Sequence, residues 1–209
     1  LKIIESKKIH ISKEEAAGAL KEAFIQGTGK GVDILSQANG YLGNPQVKIP
    51  IPPEAQNVEK KLRALGLGGE VDKAIESLNR AAEDAAVEAK DIFIGAIKAI
   101  TITDAINIVK GNKDAGTRML ESKTTNDLTA KFSPIINASL AKVDATKYWS
   151  DIMAKYNKIP FVKKVETDLT AYVTQKAIDG LFVMIAKEEL NIRENPAART
   201  TQLLQKVFK

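Results

Sequence analysis

The chain has 209 residues, 44% of them hydrophobic and 27% charged, with 31 lysines and arginines against 26 aspartates and glutamates for a formal charge of +5. Cysteine is absent and His10 is the sole histidine, which excludes disulfides, thiol nucleophiles and thiolate metal sites and cannot anchor a histidine-centred triad or zinc site. Opposite charges are interspersed, so long-range attraction to polyanions is weak, and no uninterrupted apolar stretch approaches the roughly eighteen residues of a membrane span.

Periodicity predicts helices along nearly the whole chain. Residues 2–11 form a short basic, β-branched arm. Ser12 followed by Glu15 matches a capping box, Ile11 is placed to staple onto Ala16, and the helix that follows is predicted to bury Ala16, Ala19, Leu20, Ala23 and Phe24. Gly27, Gly29 and Gly31 weaken it, and Val32, Ile34 and Leu35 continue it. Residues 39–53 hold four of the seven prolines and so read as loop or extended chain, with Val47, Ile49 and Ile51 alternating onto one surface, laid as a strap across the helices. Pro53 opens a helix through Leu65, and Gly66-Leu67-Gly68-Gly69 ends it with residues suited to a left-handed cap.

One apolar stripe runs from 71 to 100 through Ile75, Leu78, Ala82, Ala85, Ala89, Ile92, Phe93, Ala96 and Ile100, its small residues admitting a close neighbour. Thr103 is the expected cap of a short helix ending near Gly111. Another helix is expected over 115–121, and a longer one from Thr125 or Asn126 that Pro134 kinks or restarts. Residues 146–156 read as helix and 157–167 as loop. Beyond Asp168, Leu169, Tyr172, Val173, Ala177, Gly180, Leu181, Met184, Ile185 and Ile192 recur at helical spacing, with Phe182, Val183 and Ala186 adding apolar surface on another side, as befits a core helix. Asn195-Pro196 stops it and starts a second helix, because a residue before proline leaves the α region and proline suits a first helical turn. The expected fold is all-α: an arm over 1–11, then one irregular helical bundle over 12–209, with about nine or ten helices and a proline-rich extended strap.

Each candidate for chemistry has an ordinary reading beside it. Gly27-Thr28-Gly29-Lys30-Gly31 invites comparison with a phosphate loop, but it lacks the Gly four residues before the Gly-Lys pair, has no Ser or Thr after Lys30, and follows a helix. Glu83, Asp84 and Glu88 share a helix with Arg80 and Lys90 at the spacing of a solvated face with i,i+4 pairs. Arg199 stands at the beginning of the apolar face Leu203, Leu204, Val207 and Phe208, where a cation needs a partner. A corner ion pair with Glu188 is expected, with Glu189 and Glu194 also near; the sharper reading is an anion spot at the helix start beyond Asn195, weakened because Pro196 removes an amide. Residues 142–164 interleave Tyr148, Trp149, Tyr156 and Phe161 with Lys147, Lys155, Lys158, Lys163 and Lys164, a pattern that suits single-stranded nucleic acid or lipid headgroups. At helical spacing Trp149, Ile152, Met153 and Tyr156 also describe a core face.

Several stretches together resemble an uncharacterised bacterial family, domain-of-unknown-function family 4197. They are Gly40-Tyr41-Leu42-Gly43-Asn44-Pro45 with Ile49-Pro50-Ile51-Pro52; Leu65-Gly66-Leu67-Gly68; Asn79-Arg80-Ala81-Ala82-Glu83; Ala89-Lys90-Asp91-Ile92-Phe93; Thr103-Asp104-Ala105; Tyr172-Val173-Thr174; Gly180-Leu181-Phe182; and, most specific, Ile192-Arg193-Glu194-Asn195-Pro196-Ala197-Ala198-Arg199-Thr200-Thr201. The resemblance runs from Ser12 onward and brings no activity, cofactor or catalytic residue. It implies an export signal, often of lipoprotein type, and hence a place in the bacterial periplasm or envelope; the start at Leu1 leads to the expectation that such a segment, with a lipid anchor for peripheral membrane association, has been removed.

The function expected on these grounds is a non-catalytic helical domain that binds or scaffolds an envelope component, with the strap and the corner as working surface. An enzyme built on carboxylates and arginines is the alternative, and it requires the polar residues Asn79, Arg80, Glu83, Lys90, Arg193 and Arg199 to converge in one pocket. The third reading is a cationic surface at 142–164 that docks on anionic lipid or nucleic acid, nucleic acid being the less expected partner. No cofactor and no metal ligand is expected.

Overall fold

The computed structural model describes residues 11–165, 168–199 and 201–207. The predicted arm up to His10, with Thr200 and Phe208, lies outside the described residues. Nine α-helices and two short 3-10 turns follow one another, and no strand occurs among the described residues: α1 (Lys13–Leu35), α2 (Gln56–Ala64), α3 (Gly68–Ala86), α4 (Ala89–Lys98), α5 (Ile102–Lys110), α6 (Ala115–Ala141), α7 (Ala145–Tyr156), α8 (Leu169–Glu194) and α9 (Gln202–Val207), with 3-10 turns at Pro53–Ala55 and Pro196–Ala198.

The two longest-range organisers are α8 and α6. The α8 helix packs on α6, α1 and α3, as its apolar surface on more than one side predicts, and Val173, Ala177, Leu181 and Phe182 are buried in the main core. The edge of the Phe93 ring meets Phe182, with centroids 5.8 Å apart. Along α6, Gly116, Leu120, Thr124, Leu128, Phe132, Ile136 and Leu140 are buried at steps of four. Each such step drifts by about 40° around a helix. The stripe therefore winds about α6, which packs on α8, α3, α4, α5 and α7.

The α6 helix corrects the expected pair of helices with a break near residue 125. Thr124, Thr125 and Thr129 do not cap; each hydroxyl donates to the carbonyl four residues back, at 2.7, 2.6 and 2.8 Å. The helix also continues through Pro134, which sits on the exposed side with Ala130, so the carbonyl that proline leaves without a donor faces water. Two more boundaries differ. Thr101, not Thr103, caps α5 through a capping box with Asp104; the hydrogen bonds to Thr101 hold the Asp104 carboxyl below its ordinary range. The stripe from 71 to 100 is broken at Val87 and Glu88, between α3 and α4.

Ser12 and Glu15 form the expected capping box of α1, although Ala17 rather than Ala16 turns into the core. The phosphate-loop lookalike is ordinary helix, and two of its glycines have a packing role. A Cβ on Gly27 would stand 3.3 Å from that of Glu188, and one on Gly31 would stand 3.6 Å from that of Met184, so their absence sets how near α1 comes to α8. The tail returns as expected: Leu204 and Ile192 pack with Ala19 and Ala23 of α1, and Lys206 pairs with Glu15 at 2.8 Å. After Asn195 the chain makes only the 3-10 turn, and the second helix begins at Gln202.

Candidate functional site

The six predicted polar residues divide into groups that serve different joints. Asn79, Arg80 and Glu83 lie on α3 and hold the strap. Asn79 is wholly buried; its side-chain oxygen accepts from the Ile49 N–H at 2.8 Å and its amide donates to the Ile49 carbonyl at 2.9 Å. One side chain thus satisfies both backbone groups of an extended residue that has no strand beside it. Glu83, also buried, accepts from the N–H groups of Tyr41 and Leu42 at 3.1 and 3.2 Å, and Arg80 reaches its other oxygen at 2.7 Å. That bond raises the pKa of Arg80 further. Tyr41 completes the clamp, donating to the Ala177 carbonyl of α8 at 2.6 Å, with its ring against Gly180, where a Cβ would come within 2.8 Å of the ring edge. Burial first, then the Glu83 charge, pushes the Tyr41 phenol above its ordinary range.

Arg193 and Arg199 work at helix ends. Arg193 pairs with Glu189 at 2.8 Å and donates to the carbonyls of Ile108 and Val109 at the end of α5. Glu189 accepts from the N–H groups of Gly116 and Thr117 and from the Thr117 hydroxyl, at 3.1, 2.8 and 2.6 Å. It thereby caps α6, whose own N-cap residue, Asp114, makes no side-chain cap. The cation meets one helix C-terminus and the carboxylate the next N-terminus, the favourable sense for both dipoles. The predicted corner ion pair is corrected: Glu188 carries Lys30 at 3.0 Å, and the buried Arg199 donates to the carbonyls of Ile192 and Arg193, at 3.0 and 2.8 Å. Arg199 braces the corner by capping α8, whose last carbonyls lack intrahelical donors. Lys90 joins an exposed pair with Asp33 at 3.4 Å. These six residues do not line one pocket, so the convergence required of a carboxylate–arginine enzyme is not present among them. Among the described residues no three His, Cys, Asp or Glu side chains gather to hold a metal ion.

The concave feature of the molecule lies elsewhere. A cleft of about 840 Å³ opens between α2, α3 and α7, with the end of α6 and the start of α8 at its margins. Its walls carry Val58 and Leu62 of α2, Val71, Ala74 and Leu78 of α3, and Trp149 and Met153 of α7, while Glu59, Lys73, Glu76, Arg80 and Lys142 are among its polar lining. The α2 helix contributes a wall although it has no buried residue of its own. At the wall of the cleft, Met153 packs with Ala55 and Val165, and with partly buried Ile51, Trp149 and Tyr156, in a small satellite core. The core face predicted over Trp149, Ile152, Met153 and Tyr156 is therefore correct for Trp149, Met153 and Tyr156, the Ile152 side chain lying outside the described residues, and Trp149 and Met153 also face the cleft. Sequence reasoning did not find this cleft. Its available signal was Val58 and Leu62, four residues apart in a largely charged α2, an apolar edge with no assigned partner.

A family model described as "Protein of unknown function (DUF4197)" matches residues 10–209. The chain belongs to that family. No curated protein and no solved structure matches it. Family membership brings no residue roles, and no single helix among the described residues is long and apolar enough to cross a membrane.

Proposed function

We propose that this chain is a non-catalytic binding domain of the bacterial envelope, and that its ligand is an apolar molecule bearing a hydrocarbon chain, held between α2, α3 and α7. The observation that carries this reading is the cleft: about 840 Å³, walled by aliphatic side chains and one indole. Its size lies within the range of small-molecule sites, which are mostly apolar with few polar groups. The Arg80 guanidinium at its edge is already engaged by Glu83, and Asn39 accepts from it at 3.0 Å, leaving a chain's burial as the main source of affinity. The envelope location is supported by the export signal that members of the family typically carry.

Trp149 is the only tryptophan of the chain and lines the cleft, so its emission reports occupancy directly. Titration with a dibrominated fatty acid is expected to quench it saturably at one ligand per chain. Ala74→Phe, which fills the cleft from α3, is expected to weaken that quenching about tenfold or more with an unchanged helical circular dichroism spectrum. Non-saturable quenching, or equal quenching of the variant, would refute the reading.

A further inference from the structure

We infer that the outer side of α7 and the loop after it form a docking surface for an anionic phospholipid bilayer. Between 142 and 164 the chain carries Lys142, Lys147, Lys155, Lys158, Lys163 and Lys164 against only Asp144 and Asp151, and all six lysines are exposed. Among the described residues only Lys163 of these makes an ion pair, a loose one with Glu54 at 3.7 Å. Six cations against two carboxylates, in a chain of net charge +5, give this segment a local excess of positive charge.

The apolar groups beside these cations face outward. Phe161 is fully exposed, and Tyr148 and Ile159 are largely so. Phe161 also holds a left-handed backbone, φ +64°, a conformation that costs a bulky residue strain. The loop that presents it is closed at its base: Asn157 accepts from the Val165 N–H at 2.8 Å and donates to the Val165 carbonyl at 2.9 Å. The Asn79–Ile49 clamp has the same form, but there the clamped segment lies inward, whereas here the loop projects Ile159-Pro160-Phe161 into solvent between lysines.

An apolar tip flanked by cations matches the layered chemistry of a bilayer surface, phosphates outside and hydrocarbon below. Single-stranded nucleic acid would call instead for aromatic rings set along a basic groove, and the tip is a protrusion. Lys142, Val143 and Tyr148 both line the cleft and lie exposed, so the docked surface adjoins the cleft mouth. The docking inference stands without any occupant of the cleft.

The test is flotation of the 209-residue chain with phosphatidylcholine vesicles, with and without phosphatidylglycerol. The chain is expected to float with the anionic vesicles only, and to be released by salt. Lys147→Glu, Lys155→Glu and Lys158→Glu together are expected to weaken binding on the order of a hundredfold, and Phe161→Ala by about tenfold. Lys48→Glu, Lys176→Glu and Lys187→Glu, exposed positions on other elements, make the same change in net charge and are expected to bind within about twofold of the parent if docking is local. Equal loss in both triple variants, no binding to anionic vesicles, or binding to a single-stranded oligonucleotide in place of vesicles overturns the inference.

Discussion

The two flanks of α3 are finished in opposite ways. On one, Asn79, Glu83 and Arg80 close over the strap, and Tyr41, Val47 and Ile49 are buried beneath it. On the other, Val71 and Ala74 look into the cleft, covered by an α2 helix that buries nothing. The strap has no regular secondary structure, so the backbone groups that its turns leave unpaired, such as those of Ile49, need side-chain partners to be buried; α2 satisfies its own backbone. Irregular chain is therefore the more tightly held part here, and a regular helix the less buried one.

Breaking the rigid flank is the harshest test of this contrast. Asn79→Ala strands both polar groups of Ile49 and is expected to cost about 3 kcal/mol in urea unfolding. Gly180→Ala drives a methyl against the Tyr41 ring and is expected to cost about 2 kcal/mol, a loss that Tyr41→Ala in the same chain should largely mask in a double-mutant cycle.

A gentler probe is alkaline pH. Tyr172 donates to the Pro50 carbonyl of the strap at 2.8 Å, and burial, with the Glu54 charge second, pushes its phenol from 10.0 up to about 12. A phenol raised in the folded state stabilises fully below its unfolded value and stops doing so as pH climbs through the folded one. The urea midpoint is thus expected to fall between pH 10.0 and about 12, with a shallower fall in Tyr172→Phe. The smallest effect belongs to the open flank: Val58→Ala is expected to change stability by less than about 0.5 kcal/mol, while amides of α2 exchange faster than those of α3. A cost above that, or equal protection of the two helices, would show that α2 is packed as firmly as the strap.

How far these features could be read from the chain varies with their range. Ser12 and Glu15 are three residues apart, and their capping box was legible, as were the strap, the Gly66 helix end and the Asn195-Pro196 corner. The Thr101–Asp104 box is equally local but was missed beside Thr103, a second hydroxyl two positions on. In α6 the stripe at steps of four was obscured by threonines and Pro134, residues that suggest a boundary only when their environment is unknown. Arg199 was expected to brace the corner through an ion pair with Glu188, but its acceptors are carbonyls, which every residue possesses and no side-chain pattern reveals. Of the six polar candidates, the sequence could show that Arg199 needed a partner and could not show that the six serve separate joints.

Sequence alone settled that the chain is helical, that the proline-rich strap is not, and which faces seek burial, because these depend on backbone sterics and on periodicity within a few residues. Only the tertiary arrangement decided that Glu189 caps α6, that Arg193 closes α5, and that α2, α3 and α7 enclose a cleft. Those outcomes depend on which helix ends and side faces meet across long separations in the chain, and a space between helices has no residues of its own to announce it.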